Sequence, residues 1–149
     1  MATPFVTRER VRWSDIDWAR IIRYSAFPRF FEVAEAELFR AAGIPYPELF
    51  ARWKLSLPRR VMHVDFVSPA VLDDELELRV WIRHIGESSL ILALDALDAD
   101  TRELRATGHL VLVCTGVEAL RKLRVPDGLR EALAPWVMSD EEARKTPPD

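Results

Sequence analysis

Residues 75–85 read ELELRVWIRHI, and the alternation is nearly unbroken. Leu76, Leu78, Val80 and Ile82 fall on one side, and Glu75, Glu77, Arg79 and Arg83 on the other. A period of two belongs to a β-strand with one face in a core and one face outside. Trp81 interrupts the polar side and marks a patch that something must cover, for which a second copy of the chain is the expected candidate. The turn GESS follows, and then LILALDALDA, where Leu90, Leu92 and Leu94 again share a face. A second turn, DTRE, leads to the long apolar strand LRATGHLVLVCTG. Strands joined by such short turns pair antiparallel.

Upstream, PFVTRERVRW reads as a strand, and PRRVMHVDFVSPA, between Pro58 and Pro69, opens another strand region. Between them lies PRFFEVAEAELFRAAG. Phe27, Phe30, Phe31, Ala34, Leu38, Ala41 and Ala42 gather on one broad helical face, with Arg29, Glu32, Glu35 and Glu37 mostly off it. Gly43 and Pro45 supply the stop. YPELFARW and VPDGLREALAPW read as short helices. The order is strand, long helix, then a meander, which defines an α+β layered design with the helix laid on an antiparallel sheet. The 149 residues suit one domain, expected over 1–137, with 138–149 a polar tail expected to fray.

Composition removes several classes of function. A net charge of −3 leaves no basic footprint for nucleic acid. No apolar run approaches the ~18 residues of a membrane span, and MATPFVTRER lacks the apolar core of a signal peptide. The single cysteine, Cys114, fits a reducing cytoplasm and reads as a small core residue. There is no phosphate loop and no nucleophile elbow. His63, His84 and His109 have no metal spacing, so no metal or cofactor is expected. His63 and Asp65 share a strand face and form a minor candidate for an acid–base pair.

The segment SDIDWARIIRYSAF then demands an account, because it sets Asp15 and Asp17 among apolar residues. Ser and Asp favour turns, and Ser25 suits a helix N-cap. The same placement serves catalysis. A helix mouth offers unpaired amides and partial positive charge, which can hold the oxyanion formed when a carbonyl is attacked. A neighbouring carboxylate can activate water or attack directly. On spacing alone the turn is the better reading, because acid-containing turns commonly precede helices.

VRWSDIDWARIIRYSAFPRFFEVAEAELFRAAG resembles the N-terminal signature of hotdog-fold acyl-CoA thioesterases of the 4-hydroxybenzoyl-CoA thioesterase family: a strand, D-x-D-x-x-G-x-V, an aromatic or His, and a helix continuing F-F-E. VDFVSPAVLDDELELRVWI, HIGESSLILAL, ATGHLVLVCTG and VPDGL resemble the family's later segments, so the likeness spans about residues 5–136. The resemblance implies a hotdog fold, with an antiparallel sheet wrapped around one long central helix. It implies hydrolysis of an acyl-CoA to the acid and free coenzyme A, and a homodimer or tetramer with sites between subunits. Carried over, Asp17 is the catalytic carboxylate, Asp15 shapes the turn, and Tyr24 supplies an amide to the thioester carbonyl, with the Ser25 amide beside it. Arg20 stands where the signature has glycine, which implies either an altered turn or a guanidinium directed at the substrate. Arg59 and Arg60 are candidates for the coenzyme's phosphates. The alternatives are a non-catalytic acyl-thioester binding module, should Arg20 remodel the loop, and a hydratase using His63.

Overall fold

The computed structural model describes residues 2–145. Strand β1 (Phe5–Arg10) leads through a one-turn 3₁₀ segment, Trp13–Asp15, and a second, Tyr24–Ala26, into helix α1 (Phe27–Ala41). Helix α2 (Tyr46–Trp53) follows, and then β2 (Leu55–Ser56), β3 (Arg59–Phe66), β4 (Glu75–Ile85), β5 (Ser89–Asp98), β6 (Leu104–Val113) and β7 (Thr115–Gly116). Helices α3 (Asp127–Leu133) and α4 (Asp140–Lys145) complete the described residues.

Five strands form one sheet in the order β1-β4-β5-β6-β3, antiparallel throughout, while β2 pairs only with β7. In β4, Leu76, Leu78, Val80 and Ile82 are buried in the main core as expected, but the face expected outside is covered as well, with Glu77 and Arg79 also buried. Helix α1 lies on that core face, with Phe30, Ala34, Leu38 and Phe39 fully enclosed. Each large side chain buried in this way contributes about 1.5–3 kcal/mol, so the helix is held by its apolar stripe rather than by helix propensity. Gly43, at φ 80°, turns the chain out of the helix, as its place in the sequence suggests. Gly108 has a different role. A Cβ there would lie 2.2 Å from the His63 carbonyl oxygen and 2.8 Å from the ring of Phe31, so glycine lets β6 pass close beneath the helix.

Two expectations fail. Trp81 is not left for another copy to cover. It is 1 % exposed beneath α4, in a small second cluster with Ala93, Met138 and Ala143. The segment expected to fray is therefore a docked helix as far as Lys145, and residues 146–149 lie outside the described residues. Its anchors are polar. Asp140 accepts from Trp81 Nε1 at 3.0 Å and from Arg83 at 2.8 and 2.9 Å. Arg144 donates to Asp95 at 2.9 and 3.1 Å and lies over the Trp81 ring. Opposite charges supplied by β4 and β5 make an otherwise polar segment adhere to the sheet.

The β3 edge of the sheet is bare. β3 is the last strand of the sheet, and Val61, Met62 and Phe66 along it are exposed.

Candidate active site

The loop from Val11 to Arg23 brings two carboxylates to the mouth of α1, and their environments are opposite. Asp15 is the buried one, at 2 % exposure. It accepts the Arg12 amide at 2.8 Å and two donors from Arg29, of which Nε lies at 2.9 Å. Arg29, on the first turn of α1, also meets Glu9 at 3.1 Å. Burial pushes the Asp15 carboxyl upward, but the Arg29 hydrogen bonds, the Arg12 amide and the nearby positive charge outweigh it and hold the group below its ordinary range. The Asp15 carbonyl also accepts the Arg23 amide at 2.9 Å. Asp15 is thus a rivet between the loop and the helix, as the turn-shaping role implies.

Asp17 is exposed and carries no guanidinium. Its Oδ1 accepts the Ala19 amide at 2.8 Å, and its carbonyl accepts the Arg20 amide at 2.9 Å. These two bonds close a tight turn in which Arg20 has φ 67°. Arginine holds the left-handed conformation that glycine adopts at no steric cost, against a penalty of about 1–2 kcal/mol for an L-residue.

A cavity of about 450 Å³ opens beside this turn. Asp17 and Tyr24 both line it, with Ile22, Phe27 and Phe66 forming an apolar wall. The amides of Tyr24 and Ser25, the first of their 3₁₀ turn, meet no backbone acceptor, whereas those of Ala26 and Phe27 are bonded within the turn. Asp17 and Tyr24, whose amide meets no backbone acceptor, thus line one apolar recess, and Ser25 is adjacent in the chain but not in its lining. That combination can polarise a carbonyl and deliver a nucleophile to it. A larger cavity of about 890 Å³ opens against Asp17, Trp13, Trp18, Arg20 and Leu72, so Asp17 stands where the two recesses meet. No group of His, Cys, Asp and Glu able to hold a metal occurs among the described residues.

The remaining candidates scatter. Ser25 is not an N-cap: α1 begins one residue after Ala26, and the Ser25 hydroxyl accepts from Arg23 at 2.8 Å. Arg59 lies in a third cavity, paired with Glu35. Arg60 is exposed on β3 and borders none of these recesses. His63 and Asp65 do meet, at 3.1 Å, and His63 stacks on His109. They lie on the opposite face of β3 from Met62 and Phe66, which line the cavities, so the pair cannot reach Asp17. Cys114 is fully buried and burial raises its thiol, which suits a core residue. Sequence reasoning missed Phe66, Ser68 and Arg105 in the wall. Arg105 is held there by Asp98 and Ser68, both at 3.1 Å.

This architecture is the hotdog fold, and the sequence agrees with it: residues 11–133 match the model of the thioesterase-like superfamily. The chain belongs to that superfamily and is a thioester hydrolase by class. Among individual proteins, it is 26% identical over 120 residues to the acyl-CoA thioester hydrolase YbgC of Escherichia coli O6:H1, covering 80% of this chain and 88% of that one. A putative esterase from Aquifex aeolicus is 23% identical over 113 residues, covering 76% and 88%. Two solved structures share the fold. A thioesterase superfamily protein from Jannaschia sp. CCS1 has a TM-score of 0.83 at 24% identity, over 91% of this chain and 94% of that one. Slr0204 of Synechocystis, a 1,4-dihydroxy-2-naphthoyl-CoA thioesterase, has a TM-score of 0.81 at 18% identity, over 87% and 95%.

Proposed function

We propose that the protein hydrolyses acyl-CoA thioesters in the recess shared by Asp17 and Tyr24. The observation that carries the reading is that the exposed Asp17 and Tyr24, whose amide meets no backbone acceptor, line the same recess. The thioester carbonyl oxygen accepts from the Tyr24 amide, with Ser25 beside it, and the developing oxyanion is held by those dipoles. Asp17 either takes a proton from the attacking water or attacks the carbonyl carbon itself, in which case water then cleaves the mixed anhydride. In both routes the C–S bond breaks, the thiolate takes up a proton, and the acid departs. Asp15 and Arg29 position the loop and take no part in the chemistry.

The acyl group enters the 450 Å³ recess, and the coenzyme lies against the larger outer recess, where Arg20 offers positive charge beside Trp13 and Trp18. Arg60, exposed on β3, remains a second candidate for the phosphates. The bare edge of β3, with Val61, Met62 and Phe66 exposed, is the face through which the chain forms a homodimer, alone or as half of a tetramer. A cytoplasmic location fits this substrate. The left-handed backbone at Arg20, a conformation open to glycine, favours hydrolysis over the binding-module alternative, which depended on a remodelled loop.

The test is thiol release from an acyl-CoA panel by wild type and Asp17→Asn. The variant should lose at least ~10²-fold in rate, the scale of a positioned base, while substrate still binds. Hydrolysis at near wild-type rate in the variant would show that the carboxylate is structural.

A further inference from the structure

The recess that holds Asp17 and Tyr24 has an end as well as a mouth. Helix α1 contributes Phe27 to its lining, and β3 contributes Phe66. The two rings meet edge to face with centroids 5.7 Å apart, a favoured arrangement of aromatic pairs. One ring comes from the helix and the other from the strand, so the pair spans the groove between α1 and β3. The groove continues past it. Glu35, about two turns further along α1, meets Arg59 at the start of β3, so helix and strand run side by side in opposite directions. The third cavity, about 410 Å³, lies on that stretch, walled by Phe31, Phe50, Met62 and Leu110. None of the described residues lines both cavities.

Resting on the thioesterase reading above, we propose that the Phe27–Phe66 pair is the gate that limits the length of the acyl group, and that Phe66 is the residue that sets the limit. Phe27 is the fixed post. It is 2 % exposed and also packs on Phe30 at 5.6 Å and on Phe31 at 5.8 Å. Phe66 is the bar. It ends the edge strand, is 56 % exposed, and lays its ring on Phe27. A smaller side chain at 66 opens the groove without emptying the core, whereas one at 27 would hollow it.

The backbone sets the reach. The thioester carbonyl lies at the Tyr24 amide, and Phe27 follows three residues on, ~6 Å away at the ~2.0 Å rise of a 3₁₀ turn. An extended chain covers ~3.3–3.6 Å in three bonds, so an acyl tail meets the gate after roughly five bonds, and groups of about four to six carbons fill the recess. A longer tail finds Phe66 across its path and must leave its remaining methylenes in water. Each methylene denied burial forgoes about fourfold in binding. With the gate open, the same tail runs on toward Phe31 and Met62, whose apolar surfaces line the next stretch of the groove.

The experiment measures thiol release from acetyl-CoA through dodecanoyl-CoA by wild type, Phe66→Ala, Phe66→Leu and the double variant Phe66→Ala/Met62→Trp. Both positions lie on the β3 edge, so sedimentation checks that each variant keeps the wild-type assembly. Wild type should gain in kcat/KM up to about hexanoyl-CoA and gain nothing beyond it. In Phe66→Ala the ratio of decanoyl to hexanoyl kcat/KM should exceed that of wild type by at least ~10-fold, because several methylenes worth about fourfold each become buried. Phe66→Leu should fall between the two, and Met62→Trp, which refills the groove beyond the gate, should bring the ratio back toward wild type. A wild type that prefers decanoyl-CoA to hexanoyl-CoA tenfold, an unchanged ratio in Phe66→Ala, or a raised ratio that Met62→Trp leaves untouched overturns the proposal. If Phe66→Ala assembles differently, Phe66→Leu decides on the same ratio. If no thioester is hydrolysed, calorimetric binding of hexanoyl-CoA and decanoyl-CoA decides: a length limit that Phe66→Ala lifts supports the gate and faults only the catalytic reading, while the same length dependence in both proteins overturns the gate.

Discussion

Replacing Asp15 by Asn should unsettle the fold far more than the chemistry, and the geometry gives the size of the effect. The Asp15 side chain is 3 % exposed and its partner Arg29 26 %. Breaking a fully buried pair from one side costs about 3–5 kcal/mol. The figure here is smaller, because Arg29 keeps Glu9 at 3.1 Å and is partly solvated, and because an Asn oxygen can still accept the Arg12 amide. A loss of about 2–3 kcal/mol remains, which for a chain of this length lowers Tm by roughly 5–10 °C. The pH dependence provides a signature. The folded carboxyl titrates below its ordinary 3.8, so the stabilisation is fully present above that value and fades as pH falls through the folded one. Calorimetric melts of wild type and Asp15→Asn should therefore differ most near neutral pH, with the gap narrowing below about pH 4. At 20 °C the folded variant should keep kcat within about tenfold of wild type, well short of the loss expected at Asp17. A variant that melts within a degree of wild type at neutral pH, or a gap that does not change on acidification, would refute the rivet.

Two further substitutions probe the frame. Arg20→Gly relieves a left-handed residue at about 1–2 kcal/mol and returns about 0.4–1 through a freer unfolded chain, so Tm should rise by roughly 1–4 °C, and KM for the CoA thioester should rise with kcat nearly unchanged. A falling Tm would contradict the strain, and an unchanged KM would contradict the contact with the coenzyme. Asp140→Ala removes the acceptor of Trp81 and Arg83 and should cost about 1–3 kcal/mol, with hydrogen-exchange protection of the Ala143 amide lost first. Retained protection there would mean that α4 is held by other contacts.

What the sequence made legible was local or periodic. The two-residue alternation of β4 and the three-to-four spacing of Phe27, Phe30, Phe31, Ala34 and Leu38 each identify an element and its buried face, and both faces are buried in the structure. Asp17 and Tyr24 were found through a contiguous signature, and the fold sets them on one recess. The features that escaped are made by pairs distant along the chain. Glu35 looks like a solvent-facing residue of α1 until Arg59, on another element, encloses it. Residues 140–145 look like solvated tail until Arg83 and Asp95 supply their counter-charges. Ser25 illustrates the opposite error: a good capping residue whose hydroxyl serves a nearby arginine instead.

The turn at Arg20 bears on how relatives of this chain are found. A conformation thought to require glycine is here held by a long charged residue, at a strain that the rest of the domain absorbs. A search pattern that insists on glycine at that position would discard chains that keep the backbone path, the open carboxylate and the helix mouth intact. In this chain the left-handed turn persists without the glycine, so a letter that merely makes a shape easy is a poor criterion for membership.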